Sequence, residues 1–181
     1  MSLFSATLYP ALVLLVLGAA FLANHPVLQR AAKAFPRSTI AAILLFGSGA
    51  LWFLWLVYNL GPADFGDYRV PLTLLFSVVA IGAFFVTRDF LAVRGLAILC
   101  LLAARPLLDA AFLQEPGSRR FLVGFVYLVM IIGGLILGAM PYLLRDWFIW
   151  LWDKPARPRA LGALLALYGG LLVAVAFTYP A

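Results

Sequence analysis

The chain has 181 residues, 66% of them hydrophobic and 11% charged, with a mean hydropathy of +1.08. Soluble domains carry about 25% charged residues, so this composition excludes a water-soluble fold and points to an integral membrane protein. A single cysteine, Cys100, and a single histidine, His25, exclude a disulfide framework, a cysteine metal cluster and haem held by paired histidines, and no metal site is expected.

A bilayer core of about 30 Å needs about 20 apolar residues per helix. That ruler predicts one transmembrane domain over 1–181, with spans near 7–24, 39–59, 70–87, 93–113, 121–144 and 159–178. The expected fold is all-α, six transmembrane helices arranged as three antiparallel hairpins. The first span lacks the basic flank of a cleavable signal, since the first lysine or arginine is Arg30, and is expected to stay in the membrane. The first loop, 24–38, sets Val27, Leu28 and Phe35 among Arg30, Lys33 and Arg37, a pattern suited to lying on a membrane surface. Trp52 and Trp55 fall deep in the second span, facing lipid, a partner or a bound apolar molecule.

The second loop brings Asp64 and Asp67 into a Gly/Pro turn, where solvated carboxylates are the simplest reading. The third and fourth spans are joined by a very short loop containing Arg88 and Asp89, which set helix depth at the interface. The fourth span carries the least ordinary feature of the chain, Arg105 and Asp109 in LLAARPLLDAAF. A charge near the bilayer centre costs about 2.5–3.5 kcal/mol on insertion scales, so such residues are functional candidates by default. A spacing of four permits an ion pair on one helix face. Pro106 removes one backbone donor beside it. Depth counting puts Thr73 and Ser77 of the third span and Tyr127 of the fifth in the same outer half, so a small outward-opening polar pocket is expected.

The fifth span contains Gly134 and Gly138 as a GxxxG step, and the sixth contains Gly162, Ala166, Gly170 and Ala174 at a spacing of four. Helices in lipid associate through close van der Waals fit, so these small residues predict a contact between the fifth and sixth spans. Between them lies the aromatic fifth loop. Arg145, Asp146, Trp147, Trp150 and Trp152 are interface anchors there, on a short interfacial helix or an extension bent near Pro141.

Lysines and arginines divide nine to three between odd and even loops. That bias predicts both termini outside (periplasmic), and the compact, loop-poor style suits a bacterial inner membrane. Leu17-Gly18-Ala19, Ile81-Gly82-Ala83 and Leu137-Gly138-Ala139 recur near the inner ends of odd spans, which suggests a weak internal repeat. The formal charge of +6 lies mostly in loops, so it implies contact with membrane lipids and no nucleic-acid partner.

No catalytic residue emerges. Ser48 between Gly47 and Gly49 has no second histidine to serve it, and Arg105-Pro106 lacks the PSGH element that lipid-phosphate phosphatases use. The expected function is a non-catalytic membrane subunit that scaffolds or stabilises a larger complex with other membrane protein subunits. The alternative is a small carrier or channel for an anionic or zwitterionic solute at Arg105 and Asp109. No cofactor is evident, although the apolar faces could hold bound lipid or an apolar pigment.

Overall fold

The computed structural model describes residues 1–112, 114 and 117–179; part of the fourth loop and the last residue of the predicted fourth span lie outside them. Every regular element among the described residues is helical. Six helices are long and apolar enough to cross a membrane, so the chain is an all-α multi-pass membrane protein. They are α1 (Leu3–Ala23), α3 (Thr39–Tyr58), α4 (Arg69–Val86), α5 (Leu91–Ala111), a composite fifth, and α9 (Ala156–Ala176). The composite joins α6 (Arg120–Phe125), a π-helical stretch Val126–Ile132 and α7 (Gly133–Ala139). Two shorter helices, α2 (Pro26–Ala34) and α8 (Tyr142–Leu151), occupy the first and fifth loops.

Local chemistry explains the boundaries. Ser2 and Ser38 cap α1 and α3, each hydroxyl accepting from the amide three residues on, at 3.2 Å. Asn24 turns left-handed to end α1, and His25 Nδ1 then caps α2 from Val27 N at 3.3 Å, with Pro26 in the first helical position. Pro141 has no amide to continue the fifth span, so α7 stops at Ala139 and α8 starts as a separate helix.

Packing is unequal around the molecule. α1 and α9 run antiparallel in backbone contact. A Cβ on Gly162 would stand 2.6 Å from Leu22 N, and one on Gly18 would stand 2.7 Å from Ala166 N. Gly169 extends the seam against Ala11 and Leu15. α5 is the central helix. Gly95 abuts the backbone of Leu45 and Phe46 on the parallel α3, while Ala97 and Leu101 meet Gly134 on the opposite side. The C-terminal half of α5 joins α1 and the fifth span in a cluster of Ala6, Ala104, Leu107, Ala111, Leu122 and Val126. α4 stands apart: it leans on α3 through Phe84–Phe46 and Phe76–Phe53 edge contacts at 5.3 and 5.1 Å, and buries no residue.

Successive spans alternate in direction, but the tightest neighbours are not adjacent in sequence. The sixth span packs most tightly on the first, and only lightly on the fifth. A strict spacing of four drifts around a 3.6-residue helix. The contacting row is therefore Gly162, Ala166 and Gly169, while Gly170 and Ala174 face outward. The Gly134–Gly138 face of the fifth span turns to Ala97 of α5. α9 reaches the fifth span through Tyr168, whose hydroxyl donates to Phe121 O at 2.8 Å and whose ring lies 6.2 Å from Phe125. The three repeat-like glycines have different surroundings: Gly18 is clamped, Gly138 is in ordinary contact and Gly82 has open space.

Candidate functional site

Arg105 and Asp109 do lie one turn apart on α5, with Nε to Oδ2 at 3.8 Å. Their side chains are 79% and 72% exposed, so the chain's own helices leave the pair uncovered. The inward positions of this segment belong to Ala104, Leu107 and Ala111. Arg105 and Asp109 occupy a different sector of the helix. This corrects the expected polar pocket.

Its other members do not close around the pair either. Thr73 Oγ1 donates to Arg69 O at 2.6 Å and Ser77 Oγ donates to Thr73 O at 2.7 Å, so both hydroxyls are satisfied within α4. Tyr127 is 52% exposed. It falls in the π-helical stretch, which widens the turn and changes which face each residue takes. Val126, one residue earlier, holds the inward position against the core. No feature of the apolar run 121–144 announces a π turn in the sequence.

A second constellation forms where the basic loops meet. Phe90, between α4 and α5, has the guanidinium carbons of both Arg37 and Arg145 at 5.8 Å from its ring centroid. Such contacts contribute about 0.5–1 kcal/mol each when exposed. Phe90 adopts φ 61°, a left-handed conformation uncommon for an aromatic residue. The neighbouring Arg88 uses Nε on Phe84 O at 3.2 Å, at the end of α4. Arg145 also pairs with Asp146 at 2.7 Å. Phe90 and its two arginines come from three separate loops, so nothing in the linear pattern could have joined them.

The tryptophans of the fifth loop divide into two sets. Trp152 is tied in: its Nε1 donates to Asn24 Oδ1 at 3.0 Å, and its ring lies 5.7 Å from Phe21. Trp147 and Trp150 stay exposed, Trp150 beneath the Arg157 guanidinium at 4.3 Å. Arg88 and Asp89 lie on one exposed loop.

An apolar wedge of about 310 Å³ opens between α3, α4 and α5, lined by Phe46, Phe53, Phe76, Ala80 and Ile98. It offers no hydrogen-bonding side chain, so its chemistry suits an acyl chain or a similar apolar group. Among the described residues, no three histidine, cysteine or carboxylate side chains gather as metal ligands would. Compared with protein-family models, curated proteins and solved structures, the chain matches none of them.

Proposed function

We propose that this chain is a non-catalytic integral membrane subunit that docks to, and steadies, a larger membrane protein complex. One observation carries the reading: the intramembrane Arg105–Asp109 pair faces away from the bundle, 79% and 72% exposed. A solute carrier places its charged groups around an interior path. A pair facing outward meets hydrocarbon at a cost of the order of 2.5–3.5 kcal/mol per charge unless another polypeptide supplies partners. The nine-to-three arginine and lysine bias supports an orientation with both termini outside, in a bacterial inner membrane.

The test is native mass spectrometry of the protein extracted from its own membrane in mild detergent. Companion polypeptides held in fixed stoichiometry are expected. A lone monomer or homo-oligomer would overturn the reading. Arg105→Leu should strip those companions several-fold, because it strands the Asp109 carboxylate in an apolar contact. Arg105→Leu with Asp109→Leu should not restore them, because the companion's own polar groups would then face leucine. A double variant that assembles normally yet abolishes solute flux in vesicles would establish the carrier instead.

A further inference from the structure

The basic face holds a cleft that the docking reading does not use. It lies at the α4–α5 turn, has a volume of about 560 Å³, and is lined by Phe85, Val86, Arg88, Asp89, Phe90 and Arg94 among others. Arg37 and Arg145 flank it through their contacts with the Phe90 ring. Arg145 is balanced by Asp146. Among the described residues, Arg37, Arg88 and Arg94 have no carboxylate within ion-pair distance. Arg94 also has no hydrogen-bond acceptor there, and it sits half-buried in the first turn of α5. Arg88 and Arg94, both lining this cleft without a paired carboxylate, are suited to a phosphate, which accepts from two nitrogens of one arginine at once.

The lower lip of the cleft points to where that phosphate comes from. Phe85 and Val86, on the last turn of α4, are 69% and 84% exposed. Below them runs the α4 face of Leu74, Val78 and Ile81, which is 62–69% exposed. A ligand with its phosphate at Arg88 and Arg94 would lay apolar chains along that face. Asp89 is the one carboxylate in the cleft, and it suits an alcohol donor beside the phosphate.

We infer that this cleft binds the headgroup of an anionic glycerophospholipid, with Arg88 and Arg94 on the phosphate and Asp89 accepting from a headgroup hydroxyl. The site fixes the depth of α4, whose own packing is slight. Its position beside Phe90 links the bound lipid to the three loops that meet there. This inference is independent of any companion subunit.

The test uses the full chain in nanodiscs of phosphatidylglycerol mixed with phosphatidylcholine, released into native mass spectrometry. Retained phosphatidylglycerol is expected on the wild type. Arg88→Gln with Arg94→Gln should lower that retention about thirtyfold, from about 1 kcal/mol lost for each of the two basic residues. Arg119→Gln with Arg120→Gln, at the opposite membrane face, should leave it unchanged. Arg94→Lys restores charge and should recover part of the binding, and unchanged thermal midpoints would show that all variants fold. Equal retention of phosphatidylcholine, equal loss in the Arg119/Arg120 variant, or no loss in the Arg88/Arg94 variant would each overturn the proposal. Displacement of the lipid by millimolar inorganic phosphate would overturn it too, by making the cleft a site for a soluble anion.

Discussion

The α1–α9 seam and the third span α4 are built from equally apolar sequence and end in opposite situations. The seam closes to backbone contact because glycines stand opposite backbone at Gly18, Gly162 and Gly169. α4 has Gly82 alone, with open space around it, and touches α3 through two pairs of phenylalanine rings. In lipid there is no hydrophobic drive between helices, so hydropathy cannot distinguish these outcomes. Close shape does. A helix without a glycine at its contact keeps its neighbour at side-chain distance and stays peripheral.

Breaking the seam should have the largest effect. Gly162→Leu drives a side chain into the Leu22 and Gly18 backbone, and about 3 kcal/mol or more of destabilisation is expected. Loss of monodisperse protein in detergent, or a collapsed thermal midpoint, would report it; a normal midpoint would mean that α1 and α9 do not pack this way. Next comes the slight packing of α4. Phe76→Ala removes one of its two ring contacts with α3 and should cost about 1.5 kcal/mol. Faster proteolysis in the 61–69 or 87–90 loops should accompany the loss, while the α1–α9 seam stays protected.

Smaller still is the polar tie at the basic end of the seam. Trp152→Phe deletes the bond to Asn24 Oδ1 and should cost about 1 kcal/mol. Hydrogen exchange at the start of α2 should rise with it. Last, Gly170→Leu should change stability by no more than about 0.5 kcal/mol, because that position opens outward. A large effect there would show that something outside this chain covers the outer face of α9, which native mass spectrometry would then identify.

Much of the architecture was legible in advance, since length and hydropathy alone mark helices that must satisfy every backbone group internally. The amphipathic first loop and the break at Pro141 could also be read from residue types. The glycine face of α9 was visible as a small-residue row, but its partner was not, because several spans offered similar rows. Arg105 and Asp109 announced themselves as intramembrane charges. Their direction did not follow from spacing, which puts them on one face without saying what that face meets.

Composition therefore determined that this chain lives in a membrane, how many times it crosses, and where its charges gather along each span. Those properties follow from the cost of moving each residue out of water, which is local and additive along the sequence. Tertiary structure decided which helices touch, that α5 is central and α4 peripheral, and that Phe90 meets arginines from two other loops. Those outcomes depend on complementary shapes brought together from distant parts of the chain, and no window of sequence contains both halves of such a contact.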